Sequence, residues 1–233
     1  MGPIGHTGNA LLDAVSASER DRLLAQARRV ELRWRRPMYE PTEPIRSVFF
    51  PLSGVVSLIA LDGEGSGVQV ATVGREGMVG LPVYFGASAT PNIRAIAHIP
   101  GVAICLPATC FAEEARGPGR LHDVMDAYTH AMFTLAAQEV ACNRLHNLLE
   151  RCSLELLMAD DPAGGEDFPL TQELLAEMLG VRRASVSVAA ASLQEAGFIR
   201  YRRGRISVVD RAGLEGATCD CYTIIRDAFA RAA

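Results

Sequence analysis

The chain has 233 residues, 49% hydrophobic and 21% charged, a balance typical of a globular protein with enough apolar material for a packed core. No stretch approaches the ~18 uninterrupted apolar residues of a membrane helix. Residues 1–10 lack the basic and apolar regions of a secretory signal, so we expect a cytoplasmic protein without membrane association. The net charge of −4 excludes a uniformly basic nucleic-acid-binding chain, so the distribution of charge carries the information.

Residues 9–30 are predicted to be helical, because apolar side chains recur at helical spacing, and Ser18 is a candidate cap for a second segment that begins at Glu19. Between residues 42 and 111 the pattern changes to short β-branched or apolar runs separated by Gly and Pro, which is typical of an antiparallel sandwich or barrel. Asp62-Gly63 is a strong signal for a hairpin turn. The predicted strands are residues 48–50, 55–61, 68–73, 78–85, 94–99 and 102–106.

Residues 119–160 are predicted to form one long helix with a break near Gln138 and Glu139. Its apolar stripe consists of Leu121, Val124, Tyr128, Met132, Leu135, Cys142, Leu145, Leu149, Cys152 and Leu156. Such a helix has more apolar surface than one small β-domain covers, so we predict that residues 120–156 form the seam of a homodimer. The alternative is that the stripe packs on the β-domain of its own chain. Residues 160–167 are predicted to be a hinge or loop.

The six cysteines form no Cys-x-x-Cys pair. The first four, Cys105, Cys110, Cys142 and Cys152, are expected to be small buried residues. Cys219 and Cys221 are closely spaced in a predicted tail, where a redox or metal role stays open as the alternative. No metal site is predicted.

Residues 168–210 have the order of elements of a winged helix-turn-helix. Thr171 is a suitable N-cap for a helix over residues 172–179, and Gly180 suits the left-handed residue that closes it. A second helix is predicted over about residues 182–196, with an apolar face of Val186, Ala190, Leu193 and Ala196. Two helices joined by a glycine turn are typical of DNA-binding proteins.

Charge supports DNA binding by this segment. Residues 168–211 contain seven arginines and four acidic residues, a local charge of +3 in an acidic chain. The second helix begins Arg182-Arg183-Ala184-Ser185, so its N-terminal end offers cations and a hydroxyl to the major groove. A predicted hairpin around Gly204 carries arginines that suit the phosphate backbone, as a wing does. The residues predicted to contact DNA are Thr171, Gln172, Arg182, Arg183, Ser185, Ser187, Arg202, Arg203 and Arg205.

These features resemble the Crp/Fnr family of bacterial transcription regulators over nearly the whole chain. Residues 50–58 are similar to the roll segment in which a strand turns at a Gly. Residues 74–80 look like the start of the family's effector-binding cassette. In the DNA-binding motif, Gln172-Glu173, Gly180 and Arg183 fall on matching positions.

The resemblance implies an α+β fold of three parts. Residues 1–118 are expected to form an antiparallel β-roll of the jelly-roll type, similar to cyclic-nucleotide-binding domains. Residues 119–160 are expected to form the long dimerisation helix, and residues 161–233 the winged helix-turn-helix domain. The implied function is that of a regulator, not an enzyme. The resemblance implies that the protein binds a palindromic site in double-stranded promoter DNA as a homodimer, and that RNA polymerase is a further partner.

Departures from the family concern the effector. Members that bind cyclic AMP carry a Gly-Glu pair and later an Arg-Ser pair, whereas this chain has Gly77-Met78 and, at the second place, Pro91-Asn92. Losing the carboxylate removes a ribose contact, and losing the Arg removes the counter-charge of the phosphate. We therefore expect no cyclic AMP binding, with Arg94 as the alternative phosphate ligand. The residues assigned to an effector pocket are Gly77, Met78, Val79, Gly80, Asn92, Arg94 and Tyr128.

Other cofactors of the family are not expected either. The oxygen-sensing members hold an iron–sulfur cluster with cysteines mostly near the N-terminus, and this chain has none before Cys105. Haem-binding members exist as well, but the histidines here are isolated in the sequence and are expected to be structural. A cupin-type metalloenzyme is disfavoured, because the roll contains a single histidine, His98, where cupins need a His-x-His pair.

The recognition helix also departs from the best-known members, which begin it with Ser-Arg-Glu-Thr. Ala184 stands at the Glu position and cannot accept a hydrogen bond from cytosine, so we expect a different palindromic site. Two alternatives to an effector-controlled regulator stay open. The roll binds no effector, or the winged helix of a ligand-binding signalling module binds protein instead of DNA.

Overall fold

The computed structural model describes residues 6–65 and 67–232. The helices are α1 (Ala10–Ala14), α2 (Ala17–Ala25), α3 (Ala108–Ala115), α4 (Arg120–Leu145), α5 (Leu148–Ala163), α6 (Gln172–Leu179), α7 (Arg183–Glu195), α8 (Arg211–Ala217) and α9 (Cys221–Ala230). The strands are β1 (Arg28–Leu32), β2 (Pro37–Tyr39), β3 (Ser47–Pro51), β4 (Val55–Leu61), β5 (Gly67–Val73), β6 (Ile93–Ile99), β7 (Gly101–Pro107), β8 (Phe168–Pro169), β9 (Ile199–Arg202) and β10 (Arg205–Val208).

The N-terminal segment forms two short helices and a strand. A second helical segment was predicted, but its cap is Ser16 and not Ser18, and the helical prediction is wrong for residues 28–30, which belong to β1. Val15 is extended, and Ser16 caps α2 in a capping box with Glu19, which restarts the helix. Strand β1 then pairs with β7, from Arg28 opposite Cys105 to Leu32 opposite Gly101. Residues 28–30 are therefore extended despite their helical spacing, because β1 pairs with the distant strand β7.

The β-roll consists of two antiparallel sheets with the strand orders β1-β7-β3 and β2-β6-β4-β5. Strands β3 to β7 confirm five of the six predicted runs, and the turn at Asp62-Gly63 joins β4 to β5. The sixth, residues 78–85, is wrong: Val79 forms an isolated bridge with Phe49, and a short 3-10 helix follows at Leu81–Val83. Gly80 has a φ of +104° there, which ends any extended run. Strands β1 and β2 were not predicted.

The predicted long helix is two helices, α4 and α5, and the break lies at His146 rather than near Gln138. His146 is extended, and Asn147 caps α5 by accepting hydrogen bonds from the backbone of Leu149 and Glu150. The Glu150 side chain bonds back to the Asn147 backbone, so the two residues form a capping box that starts a new helix. Helix α5 continues to Ala163, and the predicted hinge therefore begins only at the left-handed Gly164.

The predicted apolar stripe mostly packs within its own chain, as the alternative interpretation had it. Seven of its ten members, namely Leu121, Val124, Tyr128, Leu135, Cys142, Cys152 and Leu156, are buried in the single chain. The large apolar residues that α4 exposes are instead Phe133, Val140 and Leu145, of which only Leu145 belongs to the stripe. Helix α4 therefore has a buried face against α1, β5 and α9, and a separate exposed apolar face.

The C-terminal segment is not a tail but two helices, α8 and α9, with α9 packed on α4. Arg211 ties α8 to the end of α5, because its guanidinium donates to Asp160 and Asp161 at 2.6 Å each. The Tyr222 hydroxyl, on α9, also contacts Asp161, at 3.1 Å. Within residues 6–65 and 67–232, no helix combines the length and the apolar character that crossing a membrane requires.

Candidate nucleic-acid interface

The first helix of the helix-turn-helix is α6, and its ends are set by local chemistry. The Thr171 hydroxyl accepts a hydrogen bond from the Leu174 backbone at 3.1 Å, which caps the N-terminus. Gly180 closes the helix with a φ of +64°, a left-handed conformation that costs a glycine little. The observed bounds, Gln172–Leu179, are those predicted.

The second helix, α7, begins after Arg182 and buries one side against the domain. Its buried residues are Val186, Ala189, Ala190 and Leu193, so Ala196, predicted in this face, is wrongly placed and is exposed. Gln194 accepts a hydrogen bond from the Tyr201 backbone at 2.9 Å, which ties α7 to β9. The orientation of α7 is therefore held by apolar burial and by the wing.

Two residues predicted to contact DNA also fix the angle between the helices. The Ser187 hydroxyl donates to Gln172 Oε1 at 2.7 Å, and the Gln172 backbone N–H donates to the Tyr201 hydroxyl at 3.0 Å. Gln172 and Ser187 are both half-buried. Their polar atoms therefore position α7, and Thr171 is engaged as a cap, which leaves the arginines and Ser185 as the free members of the predicted set on these helices.

The N-terminal end of α7 is open to solvent. Arg182, Arg183 and Ser185 are exposed, and Val188, one turn further on, is 68% exposed. The Arg183 Nε lies 3.8 Å from a carboxylate oxygen of Glu173 on α6, at a site where both side chains are about two-thirds exposed. An ion pair this long and this exposed to water is weak, so the Arg183 guanidinium is available to a ligand.

The wing consists of β9 and β10, joined by a tight turn with positive φ at Arg203 (+52°) and Gly204 (+76°). Strand β8, which was not predicted, pairs with β10 and extends the hairpin to three strands. Arg202 and Arg203 are exposed. Arg205 Nε instead donates to Asp167 at 2.6 Å, and this hydrogen bond holds the pKa of the Asp167 carboxyl below its usual value.

The residues assigned to an effector pocket have different neighbours in the structure. Gly77 to Gly80 lie against Tyr128, whose hydroxyl donates to the Met78 carbonyl at 3.0 Å and accepts from the Met78 N–H at 3.1 Å. A Cβ at Gly77 would lie 2.6 Å from that hydroxyl, so the glycine permits the close approach of the ring. Tyr128, Met78 and Val79 are fully buried.

Arg94 lies elsewhere, on β6, where its Nε donates to Glu40 at 2.7 Å. It lines a cleft of about 440 Å³ whose other side is formed by Glu177 and Met178 of α6. Asn92 is exposed at the start of the same strand segment. Arg94 therefore lies at the junction of the roll with the winged helix-turn-helix.

A buried polar network at this junction was not predicted. Gln69 on β5 donates to both carboxylate oxygens of Glu155 on α5, at 3.1 and 3.3 Å, and accepts from Ser57, which also contacts His98. Burial and the charge of Glu139 raise the pKa of Glu155 to about 8. Burial lowers the pKa of His98 to about 4. Glu155 lies among apolar residues of α5, so the sequence does not indicate that Gln69 is its hydrogen-bond partner; the fold does.

A β-roll followed by a helical linker and a winged helix-turn-helix defines a class of DNA-binding protein. Residues 143–217 match the family model described as the Crp-like helix-turn-helix domain. No curated protein matches the chain in sequence.

Three solved structures are similar over most of the chain. FixK2 from Bradyrhizobium japonicum is 19% identical, with 83% of this chain and 98% of FixK2 covered and a TM-score of 0.69. TTHA1359, a Crp/Fnr-family transcriptional regulator from Thermus thermophilus, is 21% identical, with coverages of 82% and 97% and a TM-score of 0.64. The c-di-GMP responsive global regulator CLP from Xanthomonas campestris is 16% identical, with coverages of 83% and 99% and a TM-score of 0.63.

The predicted resemblance is therefore confirmed. Residues 143–217 match the model of the Crp-like helix-turn-helix domain, and the chain as a whole has the fold of the Crp/Fnr regulators. The match to the family model begins in the last turn of α4 and includes the whole of α5.

Proposed function

We propose that this protein is a transcription regulator that binds a palindromic site in promoter DNA as a homodimer. The observation that carries the proposal is the open N-terminal end of α7, where exposed Arg182 and Arg183 lie in a Crp-like helix-turn-helix beside the arginine-bearing wing. In this motif the N-terminal part of the second helix enters the major groove and reads base edges. The proposed role is regulatory, not catalytic.

Arg183 is proposed as the main base-reading residue. Its guanidinium is exposed and only loosely paired with Glu173, so it can turn to bond a guanine through both O6 and N7. Ala184, which follows it, offers no polar atom to a base. The site sequence is therefore expected to differ from that of members that have Glu at this position.

Dimerisation is proposed through the exposed face of α4 rather than through the predicted stripe. Phe133 and Val140 are 74% and 72% exposed and lie seven residues apart, a heptad spacing. Two copies that pack these faces together would bury them in a parallel helical seam. A two-fold dimer presents two copies of α7 to two half-sites, which is why the DNA site is expected to be palindromic.

The proposal is tested by selecting binding sites from random DNA and then measuring affinity for the selected site and a scrambled one. Arg183→Ala is expected to lower affinity for the selected site by about 1–3 kcal/mol per half-site and to leave scrambled DNA nearly unaffected. Arg226→Ala, on α9 outside the motif, is the matched control and is expected to bind as the wild type does. Unchanged sequence preference in Arg183→Ala contradicts the assignment of Arg183. Failure to select any DNA site contradicts DNA binding and favours a winged helix that binds protein.

The effector, if the roll takes one, is proposed not to be cyclic AMP. Met78 stands where a carboxylate would bond the ribose, and the ring of Tyr128 occupies the space beside Gly77. The regulator CLP, of the same fold, responds to c-di-GMP, so the fold itself accommodates other effectors. Calorimetry with cyclic AMP is expected to give no heat of binding, and micromolar or tighter binding would contradict this. An effector-independent regulator remains the alternative, for which DNA affinity does not change with any added nucleotide.

RNA polymerase is proposed as a partner at the promoter, and haem and iron–sulfur clusters are proposed to be absent. The support for the first is the regulator fold alone. Two observations support the absence of haem and iron–sulfur clusters. His98 is engaged in a buried network with Ser57, and the sequence has no cysteine in its first hundred residues. Absorption spectra of the purified protein, without Soret or cluster bands, test the second statement.

A further inference from the structure

Four side chains with metal-binding atoms meet at the break between α4 and α5. They are Cys142, His146, Cys219 and Cys221, and their ligand atoms all lie within 4.8 Å of one another. The Sγ atoms of Cys142 and Cys219 are 3.6 Å apart, and the Cys221 Sγ is 3.6 Å from His146 Nδ1. This cluster, called the Cys3His cluster below, is outside both the DNA-binding surface and the predicted effector residues.

The fold, and not the local sequence, assembles the cluster. Cys142 and His146 are four residues apart and share one side of the last turn of α4, where the helix ends. Cys219 lies in the short connection between α8 and α9, Cys221 is the first residue of α9, and α9 packs on α4. The Thr218 hydroxyl bonds to the Glu150 carbonyl at 3.3 Å, which holds this connection against the start of α5.

We propose that the Cys3His cluster binds one zinc ion. Zinc in structural sites takes four sulfur and nitrogen ligands in a tetrahedron, at about 2.3 Å to sulfur and about 2.0–2.1 Å to nitrogen. Ligand atoms at the corners of such a tetrahedron are about 3.3–3.8 Å apart, by the geometry of those bond lengths. The Cys142 Sγ–Cys219 Sγ and Cys221 Sγ–His146 Nδ1 distances, 3.6 Å each, lie in this range. The three cysteines are buried and His146 is half-buried, so the donors face one another rather than solvent.

Other occupants fit the cluster less well. The ligands of an iron–sulfur cluster bind different iron atoms, which separates some of them by the width of the cluster, whereas here all four donors are close together. Calcium and magnesium require oxygen ligands, and the cluster has none. A disulfide needs sulfur atoms about 2.05 Å apart, and the Cys142–Cys219 pair is at 3.6 Å.

Zinc would connect the C-terminal helices α8 and α9 to the break between α4 and α5 at His146. On binding, the three thiols release their protons to solvent, and zinc bonds to the three sulfurs and to the neutral imidazole. Bound metal would thereby stabilise the extended His146 and the seat of α9 on α4. This inference goes beyond the proposed function and does not depend on it. It replaces the expectation that Cys142 is merely a small buried residue and that the chain holds no metal.

The first experiment measures metal content by mass spectrometry in protein purified without a histidine tag and with a non-thiol reductant. The expected result is one zinc per chain, with a loss of about tenfold or more in Cys142→Ser and in Cys219→Ser. Cys152→Ser is the matched control, because Cys152 is a buried cysteine on α5 outside the cluster, and it is expected to keep its zinc. Equal zinc content in all variants overturns the proposal.

A second experiment does not depend on whether the variants fold. Wild-type protein is stripped with a chelator under reducing conditions and titrated with Co²⁺, which is expected to produce the intense visible bands of tetrahedral cobalt and a sulfur-to-cobalt charge-transfer band. Zinc is expected to displace the cobalt stoichiometrically and to raise the thermal midpoint of the stripped protein. No tetrahedral spectrum and no thermal shift would overturn the proposal, as would iron with inorganic sulfide in the purified protein.

Discussion

Arg35 of the β-roll and Glu177 of α6 form a salt bridge between the two domains, with Arg35 Nη2 2.6 Å from both carboxylate oxygens. Beside it, the turn of the helix-turn-helix approaches the β4–β5 hairpin, where a Cβ on Gly180 would lie 3.8 Å from Val68. The DNA-binding domain is thus seated on the roll by its first helix, while the N-terminal end of α7 is open to solvent. Contacts made by α6 therefore connect the roll to the domain without covering the proposed base reader.

The coupling between Arg35 and Glu177 is expected to be small and salt-dependent, because both side chains are nearly half exposed. A double-mutant cycle with Arg35→Ala and Glu177→Ala is expected to give about 0.2–1 kcal/mol at low salt, measured by urea unfolding. The coupling should decrease in high salt because the ions screen the pair. A coupling that does not change with salt would mean that the pair acts through packing instead. The exposed pair Arg226 and Asp227 supplies the control cycle.

The wing arginines are expected to differ in their effect on DNA affinity. Arg202 and Arg203 are exposed, and each alanine substitution should weaken binding to all sequences and reduce the slope of log affinity against log salt by about 0.9. Arg205 is already engaged with Asp167, so Arg205→Ala should change the slope less. Fluorescence anisotropy over a series of salt concentrations measures the three slopes, with Arg226→Ala as the control. Equal slope changes for all three would show that Asp167 releases Arg205 on DNA.

Glu155 is expected to make the protein less stable as pH rises. Its pKa is raised from 4.5 to about 8 in the folded chain, so between these values the folded state holds a proton that the unfolded state has lost. The free energy of unfolding therefore decreases with rising pH, by up to about 2 kcal/mol between pH 6.5 and 8. His98 does not contribute in this window, because its pKa falls from 6.5 to about 4 on folding. Its contribution to the unfolding free energy increases with pH between about 4 and 6.5 and is constant above that range.

Glu155→Gln tests this directly, because glutamine keeps an acceptor for Gln69 and cannot ionise. We expect the variant to reduce the decrease in unfolding free energy between pH 6.5 and 8, measured by urea denaturation. The decrease that remains is assigned to Glu139, whose pKa burial raises to about 7 and which is coupled to Glu155. Glu195→Gln, which alters an exposed carboxyl on α7, is the control and should follow the wild-type curve. A wild type with the same stability at both pH values would show that Glu155 is ionised in the folded chain.

The exposed face of α4 is expected to hold the dimer together. Phe133→Glu combined with Val140→Glu would place four carboxylates in the seam of a dimer, so the mass in solution should fall to that of one chain. Sedimentation equilibrium measures it, and affinity for a palindromic site should fall more than affinity for a half-site. Ile224→Glu, at an exposed apolar position on α9, is the control and should leave the mass unchanged. A double variant that stays dimeric would place the seam elsewhere.

The sequence alone determined the helix-turn-helix and its wing. Their signals are local: the Thr171 cap, the left-handed Gly180, and the turn at Arg203 and Gly204 each act over three or four residues. Such interactions form wherever the segment folds, so the bounds of α6 and the tip of the wing hairpin could be predicted closely. The strand runs of the roll were predicted for the same reason, since their period and turns are local.

Only the tertiary structure decided which faces and residues meet. The apolar stripe of α4 suits either a dimer seam or its own domain, and the packing of α1, β5 and α9 against it settled the choice. Gln69 and Glu155 are 86 residues apart, and Cys142 and Cys219 are 77 apart. Contacts over such separations depend on how the helices and sheets pack, which no local pattern encodes. The open end of α7 could be anticipated from its arginines, whereas the Cys3His cluster required the fold that brings α9 onto α4.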